Sequence, residues 1–318
     1  MDAVALALAA GIPGAALESW TTVAALPAAR MDHAMASLPD GALLVTGGRD
    51  TTYSTCVATA YRYDPAGNAW TTVAPLPAVR AGHGMAVLPD GGILAVGGTD
   101  GPAYQSTAYH YDPAGDAWTA VAPVPAPVGY AGVTSLADGR VVVVGGHDGS
   151  ATFATVRVYD PSTDSWTTRA SLPVATSNLA TTTLPDGRVL AVGGITGGSY
   201  VATARRYDPT GDTWTAAASL PAVRADLGLT MSGQQAIAVG GHTSAASMAD
   251  VYQYSPTSNA WSTMAPLPGV RHALQAGTLA DGRIVAVAGR VSSTVVSTST
   301  LLGSATGRAT LIGWLASR

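Results

Sequence analysis

One phrase constrains this chain more than any other. Leu184-Pro185-Asp186-Gly187-Arg188-Val189-Leu190-Ala191-Val192-Gly193-Gly194 joins a tight turn, a short apolar strand and a glycine doublet, and it comes round six times. The doublets are Gly47-Gly48, Gly97-Gly98, Gly145-Gly146, Gly193-Gly194 and Gly240-Gly241, with a decayed copy at Ala288-Gly289. Their second positions lie 50, 48, 48, 47 and 48 residues apart. A fixed period of this size marks a repeat architecture, in which each unit buries its faces against its neighbours. Six periods occupy most of the 318 residues, so one closed domain is expected.

Inside one period, Thr176 to Leu184 alternates small and apolar residues and ends at Pro185-Asp186-Gly187, a hairpin turn. Arg188 to Val192 reads as the second strand, Ile195 to Tyr200 as a loop, and Val201 to Tyr207 as the third strand. Asp208-Pro209-Thr210-Gly211 then turns the chain into a fourth strand near Trp214. The unit is a four-stranded antiparallel meander. Six such sheets stacked around an axis cover one another and leave only short edges, which is a β-propeller. The doublets are not phosphate loops, because no Gly-Lys-Ser/Thr follows them and no helix begins there.

The order Gly-Gly, Tyr-Asp-Pro, Trp is similar to the kelch motif over residues 18–302. Tyr63-Asp64-Pro65, Tyr111-Asp112-Pro113, Tyr159-Asp160-Pro161 and Tyr207-Asp208-Pro209 carry it, with Tyr254-Ser255-Pro256 as a variant. Trp20, Trp70, Trp118, Trp166, Trp214 and Trp261 keep the same beat, and these aromatics read as packing between blades. The resemblance implies an all-β, six-bladed kelch propeller of four-stranded antiparallel blades. Trp20 precedes any doublet, so a strand around it is expected to close the C-terminal blade, with a strand around Trp314 as the alternative. Residues 1–17 read as an apolar extension, a secretory leader being the other reading, and residues 303–318 as a tail packed on the propeller.

Charged residues make up 11% of the chain and the net charge is −4, with no basic cluster, so nucleic acid is not an expected partner. No run is long and apolar enough for a membrane span. Cys56 is alone, so no internal disulfide or thiolate cluster can form. No cofactor is expected, the protein reads as a monomer, and the compartment stays open. Kelch-type propellers include copper radical oxidases and iron-dependent proteins, yet Cys56, read at the start of a third strand, has no partner motif here. A metal shared by His33 and His83 beside Asp32 is the one arrangement available, and none is expected.

Repeated turns are scaffold, whereas positions that differ between copies are where a site belongs. Ahead of strand one, the first variable column reads Arg30, Arg80, Val128, Thr176, Arg224 and Arg271. Two residues on, it reads Asp32, Gly82, Tyr130, Asn178, Asp226 and Ala273, with His33, His83 and His272 beside it. If strand one lines the channel, as the resemblance implies, these positions meet at the mouth built from the strand 4–1 and strand 2–3 connections. The doublets deliver Arg49-Asp50, Thr99-Asp100, His147-Asp148, His242 and Arg290 to the same place. Tyr53, Tyr104, Phe153, Tyr200 and Met248 follow as a second ring.

Two functions fit. The first is a recognition module for an acidic or aromatic ligand, a small molecule, peptide, protein loop or glycan. Arg30, Arg80, Arg224 and Arg271 would then face an anion, with Tyr130, Asn178, Asp226, His147, His242, Tyr53, Tyr104, Phe153 and Tyr200 around it. The bland reading of the arginines is that they satisfy loop carbonyls. The second is a small-molecule enzyme, an isomerase, cyclase, lyase or one resembling the six-bladed sialate mutarotases, with Asp32, Asp226, His33, His83 and His272 as its acid–base inventory. The chain has no lysine, and Glu18 is its one glutamate.

Overall fold

The computed structural model describes residues 19–303. It is an all-β, six-bladed propeller. The first blade runs outward from Ala34–Ser37 through Leu43–Thr46 and Ala60–Asp64 to Ala69–Val73, and the next four blades repeat that order. Second strands are buried along their length, as in Leu43–Thr46 and Val141–Val144, because both faces meet a neighbouring blade. Outer strands such as Ala69–Val73 alternate exposed and half-buried positions.

The N-terminal strand closes the ring. Ser19–Val23 pairs with Thr294–Gly303 of the sixth blade, Trp20 opposite Leu302, so both chain ends share one sheet. The extension at 1–17 lies outside the described residues, as does the tail beyond Gly303.

Each blade is locked to the one before it. Trp70 Nε1 donates to the Ala24 carbonyl at 2.9 Å, and Trp118, Trp166, Trp214 and Trp261 repeat the bond to Ala74, Ala122, Ala170 and Ala218 at 2.7–2.9 Å. The amide of Ala74 donates back to Asp116 Oδ1, which also accepts the Tyr111 hydroxyl. An Asx residue two positions before each of these tryptophans, at φ between 46° and 50°, makes that lock.

Three departures from the sequence reading have local causes. Ile195–Thr196 and Ser199–Tyr200 form a small hairpin where a loop was expected, because Gly197 and Gly198 supply two successive positive φ values. Cys56 lies in the strand 2–3 connection, bridging to Arg49, rather than at the start of a strand. In the sixth blade that connection is lost: Ile284–Val291 and Thr294–Gly303 run together as one long hairpin, bulged between Val287 and Gly289.

Candidate functional site

The variable column Asp32, Gly82, Tyr130, Asn178, Asp226 and Ala273 forms a ring at the head of the six inner strands. All six residues have φ between 50° and 60°, although four of them carry long or branched side chains. That bend points each N–H at the carbonyl of the same position in the preceding blade. The six bonds, 2.7–3.2 Å, close into a girdle around the axis. With their backbone groups paired to one another, the six positions leave side chains to face the throat.

A cavity of about 90 Å³ lies there, with Asp32, Tyr130, Asn178 and Asp226 in its wall together with His33 and His83. Gly82 makes room for Tyr130: a Cβ at 82 would sit 2.7 Å from the Tyr130 ring. The ring crosses that gap, and its hydroxyl donates to Asp32 Oδ2 at 3.1 Å, two blades away. Arg49 Nε stands 3.6 Å from the same oxygen. On the other side, Asp226 accepts from Asn178 Nδ2 at 2.7 Å and lies 2.8 Å from His242 Nε2.

Two stacks of rings frame the opening. His147 lies on Tyr130 at 5.2 Å with Tyr104 tilted against it at 4.9 Å. His242 lies on His272 at 4.4 Å with Tyr200 edge-on at 5.1 Å. His272 is fixed in turn by Ser247, whose hydroxyl is 2.8 Å from Nδ1. Burial, with the charge of Asp226 second, pushes the Asp32 carboxyl up to about 7. Burial also raises the Tyr130 hydroxyl and lowers the His147 imidazole, and it takes His272 down to about 4.

The structure places the remaining candidates elsewhere, and here the expectation of an arginine cluster is corrected. Arg30, Arg80, Arg224 and Arg271 are buried, and their guanidinium groups turn inward. Arg30 Nη1 donates to the Gly47 and Thr59 carbonyls and Nη2 to Thr59 Oγ1, with Cζ 4.7 Å over the Tyr61 ring. Arg80 repeats this with Gly97, Thr107 and Tyr109, and Arg271 bonds Thr298 through both nitrogens. Arg224 bonds the Gly240 carbonyl beneath Tyr252. The physical reason is acceptor supply: each doublet loop leaves carbonyls turned inward, and a planar fork satisfies two or three at once.

Phe153 packs on the apolar core between blades two and three, and Tyr53 lies under Arg290, which covers its ring at 4.7 Å. His33 and His83 are buried, and burial lowers them far below the usual imidazole value, His33 to about 3. His83 Nε2 bonds Thr46 Oγ1 at 2.8 Å, while its Nδ1 has no partner among the described residues. Among the described residues no three His, Cys, Asp or Glu side chains are grouped to hold a metal ion. Sequence reasoning missed the partners that orient the site, Ser247 and the space at Gly82. The signal for Gly82 was present, since it is the one glycine in its column.

A closed propeller with a polar throat and variable loops at one mouth defines the class: a repeat scaffold that presents a recognition surface. The chain belongs to the kelch-repeat family. The family model for the KLHDC2/KLHL20/DRC7 Kelch-repeats domain matches residues 15–171, and that for the Kelch motif matches residues 178–221 and 224–268. The solved structure of YjhT is similar, with a TM-score of 0.72 and 16% identity over 87% of this chain and 95% of that one. At that identity the likeness concerns the fold. No curated protein matches the chain.

Proposed function

We propose that this propeller is a ligand-recognition module whose site is the mouth of the central channel, where a small polar molecule, or one projecting group of a peptide or glycan, enters the throat. One observation carries the reading: four blades each contribute one polar side chain, Asp32, Tyr130, Asn178 and Asp226, to one cavity on a hydrogen-bonded girdle. A rigid ring beneath variable side chains is how a repeat scaffold holds a specific site, because positional error in the first layer is small. The Tyr104–His147–Tyr130 and Tyr200–His242–His272 stacks supply walls for a sugar or other flat ligand. The acidic-peptide form of the idea has lost its four guanidinium groups.

A second reading is favoured by the 2.8 Å contact between Asp226 and His242, with Asp32 facing them and half-protonated near neutrality. An Asp–His pair on one side of a bound molecule and a carboxyl that holds a proton part of the time on the other can remove a proton from one face and return one to the other.

A thermal-shift screen over neutral, acidic and basic sugars, amines and short peptides, run on the native protein and on Asp226→Asn and Tyr130→Phe, tests both. The binding reading expects a ligand whose shift shrinks in at least one variant. If every hit shifts all three proteins equally, the site is not at the mouth. Under the second reading Asp226→Asn keeps the thermal shift and loses turnover of the bound compound; unchanged turnover removes that reading.

A further inference from the structure

We infer that the group taken into the throat is a cation, a protonated primary amine or a guanidinium, held between Asp226 and Asp32 and flanked by the aromatic rings of the mouth. This rests on the mouth being the binding site, and it reverses the charge that four arginines ahead of strand one implied.

Two carboxyl groups from blades one and five share the wall of a cavity of about 90 Å³, close enough that the charge of Asp226 raises the cost of ionising Asp32. Asp226 accepts one bond on each oxygen, which leaves lone pairs on both. Asp32 accepts only the Tyr130 hydroxyl, on Oδ2, so Oδ1 has no partner among the described residues. The wall thus offers acceptors to a group that brings donors. An ammonium brings three donors and no acceptor; a guanidinium brings five.

A neutral hydroxyl could fill the same acceptors, but it leaves the repulsion between the carboxylates in place. A cation removes it, and an anion adds to it. Room for that cation lies on the Asp226 side, since among the described residues no arginine pairs with Asp226. Arg49 pairs with Asp32 Oδ2 at 3.6 Å and bonds the Tyr53 carbonyl, and Arg290 bonds the Ser292 carbonyl while stacking on Tyr53. Arg290 on Tyr53 is also an internal instance of the contact a cationic ligand would make with Tyr104, Tyr130 or Tyr200.

A second feature shows that the throat holds hydrogen-bonding capacity the protein does not use. His33 lines the throat, is 1% exposed, and has neither ring nitrogen paired. Burial and the neighbouring Arg30 keep it uncharged, so one of its nitrogens is an acceptor without a donor and the other a donor without an acceptor.

The coupling to protons follows. The groups facing Asp32 are Tyr130, Arg49, Asp226 and His242, with His33 next in the chain. Near neutrality its carboxyl holds a proton part of the time, and an entering cation drives that proton off. Affinity for a permanently charged probe therefore rises with pH across the range in which Asp32 ionises.

Isothermal titration with agmatine, 1,5-diaminopentane and glucosamine, against N-acetylglucosamine and glucuronate as matched neutral and acidic probes, tests this. A Lys-Arg-Lys tripeptide distinguishes a basic peptide side chain from a free amine as the source. At least one cationic probe is expected to bind while the neutral and acidic ones do not. Its affinity should fall about tenfold in Asp226→Asn, and for agmatine or 1,5-diaminopentane, which stay charged throughout, it should rise several-fold between about pH 6 and about pH 8, a rise abolished in Asp32→Asn. If Asp226→Asn fails to fold, the pH dependence of the native protein and its loss in Asp32→Asn decide the matter. The inference is overturned if no cationic probe binds, if a neutral or acidic probe binds as well, or if cation affinity is the same in both variants and at both pH values. A neutral or acidic ligand that weakens in Asp226→Asn would keep the mouth as the site and remove only the charge; indifference of every ligand to both variants would remove the mouth as well.

Discussion

At the scale of single residues, the interior of this propeller is more polar than its strands suggest, and the question for each buried polar group is which partner it has. The arginines answer with carbonyls of the doublet loops. Their pairing with tyrosine could have been read within the chain: Tyr61, Tyr109 and Tyr252 accompany Arg30, Arg80 and Arg224, whereas Arg157 and Arg205 stand at that place where Val128 and Thr176 replace the arginine. The histidines differ from each other. His83 meets Thr46 of the preceding blade, but the equivalent residue before His33 is Val287, and both His33 nitrogens are unpaired. Thr46→Val should therefore cost about 1–3 kcal/mol by orphaning His83, while Val287→Thr should be neutral or stabilising because the new hydroxyl has a partner waiting. Urea denaturation of the two variants checks this, and equal losses in both would show that the hydroxyl at this place does not serve the imidazole. Sequence could count these side chains; it could not say whether they point to the mouth or to the loop carbonyls, since both lie within reach of the same Cα.

At the scale of the element, the doublet is legible in full and its reason is steric. A Cβ on Gly145 would stand 2.3 Å from the Thr176 carbonyl oxygen, the acceptor of the Gly146 amide, and φ there is +65°. The same clash recurs at Gly47, Gly97, Gly193 and Gly240. Blade six breaks the rule with Ala288 at φ 50°, and its methyl is buried in the apolar cluster that holds Leu26, Val45 and Val287. A bulge absorbs the misfit, and the loop that a doublet normally launches is replaced by a continuous hairpin. Decay of the motif and loss of the loop are thus one event, visible in sequence only as a missing glycine. Gly145→Ala is expected to cost upwards of about 2 kcal/mol, from left-handed strain plus the carbonyl clash, whereas Ala288→Gly should change stability by less than about 1 kcal/mol because relief of strain offsets the lost methyl. Thermal melts of the two variants test the asymmetry; a Gly145→Ala protein as stable as the parent would mean that the doublet is not held by this contact.

At the scale of the whole molecule, ring closure and blade count follow from the period and the position of Trp20, because a propeller admits few ways to bury six equivalent sheets. The charge of the mouth did not follow, because it depends on which ionisable groups the closed ring buries. The same burial sets how the fold responds to acid. His33, His272 and His83 are held neutral, the first at about 3, the second at about 4 and the third well below the usual value. Each contributes stability that is complete above its unfolded value near 6.5 and is lost as pH falls from there. Asp32, raised to about 7, has the opposite sign: its contribution is complete below its unfolded value of 3.8 and is lost as pH rises through 7. Between those limits the unfolded chain takes up three protons that the fold refuses and releases one that the fold keeps. The net of two protons makes stability rise with pH by roughly 2–3 kcal/mol per pH unit. The melting temperature should accordingly drop by roughly 5 °C between about pH 6.5 and about pH 5. Asp32→Asn should steepen that acid slope, because the one proton the fold keeps is gone, and should gain stability over the parent increasingly as pH rises from about 5 to about 8, where the parent ionises a buried carboxyl and the variant does not. Calorimetric melts of both proteins across that range decide it: a flat profile would mean that these imidazoles are not buried neutral, and a variant that tracks the parent above neutrality would mean that Asp32 ionises freely and that the throat carries less buried charge than the girdle geometry implies.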